Sequence, residues 1–146
     1  MDAQRRDKMD TVKTLAANVV DRARELIDDG WAKGRMHGQV MEDFCILGAL
    51  ELASRELLPT ARTGRREVCR VAEGAIRAVA GNITSIPGWN DAKERTKDEV
   101  LSVLRLASER LWDEALADEP VAPVSRVVRA PTRRATVRLV PASLAS

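Results

Sequence analysis

The chain has one histidine, His37, and Cys45 is the cysteine nearest to it in sequence. A cysteine and a histidine could together form a nucleophilic thiolate site. A catalytic thiolate needs solvent access and a lowered pKa, and apolar surroundings oppose both. Cys45 lies in the apolar run 44–50, which reads Phe-Cys-Ile-Leu-Gly-Ala-Leu. We therefore interpret Cys45 as a buried, unreactive core residue and His37 as a loop residue.

Metal and acid–base chemistry have little support in the residue inventory. A structural zinc site takes about four cysteine, histidine or carboxylate ligands. The chain holds two cysteines and one histidine, with no Cys-x-x-Cys or His-x-x-x-His spacing. Adjacent carboxylates occur where helices are predicted to end or begin, at Asp28–Asp29, Glu42–Asp43 and Asp98–Glu99, and capping or solvation explains them. We expect no metal site, no cofactor and no catalytic residue, which disfavours an enzyme.

The loop Trp89-Asn90-Asp91 admits two interpretations. In the structural one, Trp89 packs beneath the loop, Asn90 and Asp91 bond to loop backbone N–H groups, and Asp91 pairs with Arg95. In the functional one, Trp89 and Trp31 wall a pocket in which Asn90 and Asp91 contact a small ligand. We favour the structural interpretation because each residue has a role available within the loop. The candidate ligand or partner loop comprises Trp31, His37, Trp89, Asn90, Asp91 and Arg95.

Positive charge is concentrated in residues 120–146, called the tail below. Its charged residues are five arginines without any acid, namely Arg126, Arg129, Arg133, Arg134 and Arg138. The whole chain has a net charge of +2, so removing these five charges leaves residues 1–119 at −3. This asymmetry predicts that the tail contacts a negatively charged partner, either a protein or a nucleic acid. Alternating apolar residues in 135–140 are typical of a strand or hairpin, and an unstructured tail is an equal alternative.

A second group of arginines surrounds the start of the third predicted helix: Arg62, Arg65, Arg66 and Arg70. A helix-turn-helix protein would insert such a helix into the major groove of DNA. Glu67 and Glu73 dilute the charge, and the helices on either side of the turn are longer than that motif uses. We do not assign DNA recognition to this helix.

Four helices are needed to position these residues. Apolar side chains recur at helical spacing over Thr11–Asp29, Met41–Leu58, Arg65–Ala80 and a last segment from Thr96 to Ala115. We expect Gly30 to be a left-handed C-terminal cap, Thr63 an N-cap, and Thr96 with Glu99 a capping box. The very apolar second helix is predicted to be central, and 83–95 is predicted to be a connection.

Composition supports the same fold class. The 146 residues are 45% hydrophobic and 32% charged, but they include one Phe, three Trp and no Tyr. A core of aliphatic residues suits helix-on-helix packing, and the length fits one domain. No run approaches the roughly 18 apolar residues of a membrane span. The charged N-terminus is unlike a secretory signal, so we expect a cytoplasmic protein without membrane contact.

Three strings stand out together: Leu26-Ile27-Asp28-Asp29-Gly30-Trp31, the run 44–50, and Trp89-Asn90-Asp91 followed by Arg95-Thr96. They resemble an uncharacterised family of actinobacteria and their phages. The family pattern is a helix ending in Gly-Trp, a central Cys-x-x-Gly-Ala helix, and Trp-Asn-Asp-x-x-x-Arg-Thr before a final helix. Phe44 departs from it, since the family often has Trp there. The resemblance covers residues 12–116 and implies the helical core without implying an activity.

The sequence predicts an all-α fold, a compact bundle of about four helices in residues 1–119 with an extended or hairpin-like basic tail in 120–146. We expect a non-enzymatic interaction module, of a phage or bacterial accessory type, that binds a protein partner through its loops and tail. One alternative is a nucleic-acid-associated regulator that uses the arginines of the tail. Another is an enzyme or small-ligand binder with a pocket near Trp31 and Trp89. Formation of a homo-oligomer is left open.

Overall fold

Helices account for nearly all the regular structure in the part of the chain that the structure describes. The computed structural model describes residues 2–34, 43–60 and 62–117, without the side chains of Asp2, Arg6, Arg62 and Thr63. Over these residues the chain forms five helices and no strand: α1 Asp2–Asp29, α2 Ile46–Leu57, α3 Arg62–Val79, α4 Ile86–Asn90 and α5 Lys97–Ala117. The predicted all-α class is confirmed, whereas the predicted tail conformation lies outside the described residues.

Helix α1 is the centre of the bundle, because it packs against α2, α3 and α5, most extensively against α5. The prediction that the second helix is central is therefore wrong. Small and β-branched residues form the buried face of α1: Val12, Ala16, Ala17, Val19, Val20, Ala23 and Ile27. Alanines on this face allow neighbouring helices to approach closely. Helix α2 instead turns Glu51, Arg55 and Glu56 outward.

Helix α1 begins at Asp2 rather than at Thr11. The residues of this extension with described side chains are exposed except for the half-buried Asp10, so the apolar periodicity that predicted the rest of the helix could not detect it. Helix α3 likewise begins earlier than predicted, at Arg62, which places Thr63 inside the first turn instead of at the N-cap. The end of α3 agrees with the sequence, since Gly81 and Asn82 have positive φ angles of 105° and 59° and stop the helix.

Helix α2 begins at Ile46, so Cys45 is its N-cap and not an internal helical residue. The Cys45 sulfur accepts a hydrogen bond from the Gly48 N–H at 3.4 Å. Phe44, just before it, forms an isolated parallel bridge with Trp31. The predicted burial of Cys45 is nevertheless confirmed, as only 6% of the residue is exposed.

Gly30 ends α1 without a left-handed conformation, because the described glycines with positive φ are Gly34 and Gly81. Its N–H donates to the Leu26 carbonyl at 3.1 Å, and its carbonyl accepts from the Phe44 N–H at 2.9 Å. The predicted left-handed cap at Gly30 is therefore wrong. The chain leaves α1 in an extended conformation that pairs with the residue before the α2 cap.

The predicted connection 83–95 contains the short helix α4. The Ser85 hydroxyl accepts a hydrogen bond from the Gly88 N–H at 3.0 Å and caps this helix. Pro87 lies in the first turn, where its missing N–H costs no helical hydrogen bond. Helix α4 carries Trp89 and Asn90 toward the end of α1.

No helix in the described ranges has the combination of length and apolar character that a membrane crossing requires.

The capping box of α5 is confirmed. The Thr96 hydroxyl accepts from the Glu99 N–H at 3.2 Å, and Glu99 Oε1 accepts from the Thr96 N–H at 2.9 Å. These reciprocal bonds satisfy two backbone donors at the start of the helix.

Replacing Thr96 with Ala removes the cap and should lower the free energy of unfolding by about 1 kcal/mol. The measurement is urea denaturation followed by circular dichroism. Ser102→Ala, at an exposed position inside the same helix, is the control and should cost nothing, because alanine is the better helix former. An unchanged midpoint for Thr96→Ala would show that the cap does not stabilise α5.

Candidate functional site

The candidate loop is positioned where the chain leaves α1 and meets α4. Residues 30–34, called the exit segment below, follow α1 directly. The Ala32 N–H donates to the Phe44 carbonyl and the Phe44 N–H donates to the Gly30 carbonyl, both at 2.9 Å, which holds the start of the exit segment extended. The Trp31 side chain is half-buried at the edge of the core. Its ring thereby comes within reach of Asn90 at the end of α4.

The side chain of Asn90 is completely buried, with 0% exposure. Its Oδ1 accepts a hydrogen bond from Trp31 Nε1 at 3.0 Å. Its Nδ2 donates to the Ala32 carbonyl at 3.1 Å and to Asp91 Oδ1 at 2.8 Å. A carboxamide has one oxygen and two N–H donors, so every polar group of this side chain has a partner. Burial of an amide is tolerated only under that condition.

Asp91 extends these contacts to the next turn of the exit segment. Its Oδ1 also accepts from the Gly34 N–H at 2.7 Å. Gly34 has a φ of 83°, in the left-handed region that glycine adopts without a steric penalty. Asp91 therefore fixes the turn at Gly34 and bonds to a loop backbone N–H, as the structural interpretation predicted.

Arg95 holds the far side of the same loop. Its guanidinium carbon lies 3.8 Å from the centroid of the Trp89 ring, and its Nε donates to the Trp89 carbonyl at 2.8 Å. Its ion-pair partner is Glu99 of α5, at 3.5 Å. The predicted pair with Asp91 is wrong, because the Asp91 carboxylate is directed to Gly34 and Asn90 instead.

Lys33 ties the exit segment to the loop after α4. Its Nζ donates to the carbonyls of Lys93 and Arg95, at 2.9 Å and 3.3 Å. The same ammonium lies 5.7 Å from the centroid of the Trp31 ring. A cation near an aromatic face contributes attraction without blocking these hydrogen bonds.

The structure brings together most of the loop residues that the sequence singled out. Together with their bonding partners in the exit segment they form a set that we call the Asn90 network. Its members are Trp31, Ala32, Lys33, Gly34, Trp89, Asn90, Asp91 and Arg95. His37 and the five tail arginines lie outside the described residues. The polar atoms of Trp31 and Asn90 are engaged within the network, and Arg95 covers a face of Trp89. This geometry agrees with the structural interpretation for Asp91, but Asn90 bonds to the Trp31 indole and the Ala32 carbonyl instead of to a backbone N–H. A ligand pocket between the two tryptophans stays a prediction.

A cleft that sequence reasoning missed lies between α2 and α3, with a volume of about 470 Å³. Its lining residues are Leu47, Leu50, Glu51, Ser54, Arg55, Arg65, Arg66, Cys69 and Glu73. Burial raises the pKa of the Cys69 thiol, which is half-buried in this lining, so the thiol stays neutral at neutral pH. The sequence feature that could have indicated this cleft is the group of arginines around the start of α3. Taken alone, that group suggests DNA binding.

Metal binding has no support in the described ranges, where no group of three or more histidine, cysteine or carboxylate residues is placed to hold an ion.

Asn90→Ala should lower the free energy of unfolding by about 3 kcal/mol, because the Trp31 indole and the Ala32 carbonyl both lose a buried partner. Asn18→Ala, an exposed asparagine of α1, is the matched control and should change stability by less than about 0.5 kcal/mol. Equilibrium denaturation of both variants measures the difference. Equal stability of the Asn90→Ala and Asn18→Ala variants would contradict the structural role that we assign to the Asn90 network.

Comparison with known proteins confirms the expectation that the chain belongs to an uncharacterised family. The model of a family of unknown function, DUF6197, matches residues 11–110. No curated protein and no solved structure matches the chain. The matched range includes α2, α3, α4 and the whole Asn90 network, with most of α1 and α5. Because it covers more than half of the 146 residues, the chain belongs to the family of unknown function DUF6197.

Proposed function

We propose that this chain is a non-enzymatic interaction module whose helical core presents a basic tail to a protein partner. The separation of charge along the sequence is the observation that carries this function. Residues 1–119 have a net charge of −3, whereas the tail has five arginines and no acid. Charge of one sign confined to a terminal segment is typical of segments that contact an oppositely charged surface.

The geometry of the core supports this division of roles. The Asn90 side chain, which is fully buried, forms hydrogen bonds to Trp31 and Ala32 within the Asn90 network. Trp31, Asn90, Asp91 and Arg95, which we considered for ligand contact, therefore have partners within the fold, while His37 lies outside the described residues. The buried hydrophobic cluster runs from Val12 to Leu111 and is drawn from the described helices and Phe44. Such a core is a rigid support from which the tail can reach a partner.

A protein partner is favoured over a nucleic acid because apolar residues interleave with the arginines of the tail. Val127, Val128, Val137 and Leu139 offer hydrophobic contacts that a phosphate backbone would not use. Nucleic acid is the second candidate, since five arginines without an opposing acid also suit phosphate contacts. We assign the module to a bacterium or its phage and to the cytoplasm, on the resemblance and the composition alone.

Deleting residues 120–146 should leave helicity and melting temperature nearly unchanged, because the five described helices already form a contiguous buried cluster with one another. The same deletion should abolish capture of a discrete protein from a bacterial lysate, identified by mass spectrometry. A full-length variant with all five tail arginines replaced by Gln is the control for loss of charge without loss of chain. Capture that survives in both variants, or unfolding of the shortened chain, would refute the proposed role of the tail.

The salt dependence of binding separates the two partners. If a mixed-sequence DNA duplex binds the full chain, deletion of the tail should flatten the slope of log affinity against log salt by about 0.7 to 0.9 for each phosphate that the tail neutralises. With a protein partner, salt should matter less, and Val137→Asp should weaken binding as much as Arg138→Ala. A steep slope with no effect of Val137→Asp would favour the nucleic acid.

A further inference from the structure

Helices α2 and α3 are consecutive in the chain, yet each packs against α1 more extensively than it packs against the other. The cleft of about 470 Å³ lies between their facing sides. This volume is within the range of small-molecule sites, roughly 300 to 1,000 Å³. Clefts between helices of a bundle are also a common position for such sites. Its described lining residues all belong to α2 and α3, and none of them is part of the Asn90 network.

The floor of the cleft is apolar. Leu50 is 1% exposed, and Leu47 and Cys69 are half-buried beside it. Ser54 is 3% exposed, and its hydroxyl donates to the Glu51 carbonyl at 2.8 Å. The hydroxyl group is therefore satisfied within α2, and the floor is suited to a hydrocarbon surface.

The rim of the cleft has positive charge that the fold does not neutralise. Glu51 pairs with Arg55 at 2.6 Å, and Glu73 pairs with Arg77 at 3.3 Å. Arg66 is exposed on the same rim and has no acidic partner among the residues that the structure describes. Both acids of the lining are thus paired, and the Arg66 guanidinium is available to an anion.

Arg65 is closer to the turn between the helices and has a different role. Its Nη1 donates to the carbonyls of Leu58 and Pro59, at 2.8 Å and 3.0 Å. These bonds fasten the start of α3 to the end of α2 and fix the mouth of the cleft. The side chain that can turn to a ligand is accordingly Arg66.

We propose that the cleft between α2 and α3 binds a small amphiphilic carboxylate, with its hydrocarbon body on Leu47, Leu50 and Cys69 and its carboxylate on Arg66. A guanidinium presents two parallel N–H donors that match a carboxylate. The apolar floor explains why the ligand needs a hydrocarbon body, since an ion pair at an exposed arginine is weak alone. This site goes beyond the proposed function, because it involves neither the tail nor a macromolecule.

Decanoate, below its micelle-forming concentration, is the probe. Binding is measured by calorimetry and by the rate at which a thiol reagent modifies Cys69, which lines the cleft. Decanoate should slow modification of Cys69, and 1-decanol should bind about tenfold more weakly because it lacks the charge. The Cys69→Ser variant should show almost no modification, since Cys45 is buried, and it establishes that the signal comes from Cys69.

Arg66→Glu should weaken decanoate binding by about tenfold or more. Arg70→Glu is the matched control, because Arg70 is exposed on the same helix but does not line the cleft. It makes the same change in net charge and should leave binding nearly unchanged. Equal weakening by the two variants, or modification of Cys69 that decanoate does not slow, would overturn the proposed site.

Discussion

The buried amide of Asn90 is the interaction on which the arrangement of this fold depends. It joins Trp31 and Ala32, which lie 59 and 58 residues away in the chain, to the end of α4. With the exit segment held in place, Phe44 can pair with Gly30 and Ala32, and α2 then begins at the Cys45 cap. Each buried polar group left without its partner would cost about 1 to 3 kcal/mol. A substantial part of the stability of a small domain therefore rests on one side chain.

Local signals in the sequence were enough for most of the fold. The apolar stripe of α1 and the Thr96–Glu99 capping box each act within a few residues, and both were predicted correctly. The start of α2 was missed because Phe44 gives its backbone hydrogen bonds to the exit segment, a tertiary contact that apolar periodicity does not encode. The exposed first turns of α1 were missed for a different reason, since no buried face marks them.

The candidate site residues show the same difference between local signals, which the sequence encodes, and tertiary contacts, which it does not. Trp31, Asn90 and Asp91 were correctly grouped, but Arg95 was assigned to Asp91 by its spacing, whereas it pairs with Glu99 across the α5 cap. The cleft between α2 and α3 depends on how two helices rest on α1, so its residues could not be grouped from spacing.

A double-mutant cycle between Trp31 and Asn90 isolates the bond that joins the exit segment to α4. Trp31→Phe removes the indole N–H that Asn90 accepts at 3.0 Å while it keeps an aromatic ring. Denaturation of the two single variants and the double variant yields the coupling free energy between these side chains. Because the bond is buried at the Asn90 end, we predict a coupling of about 1 kcal/mol or more. Additive effects of the two substitutions would contradict this prediction, because they would show that the Trp31–Asn90 bond does not hold the exit segment to α4.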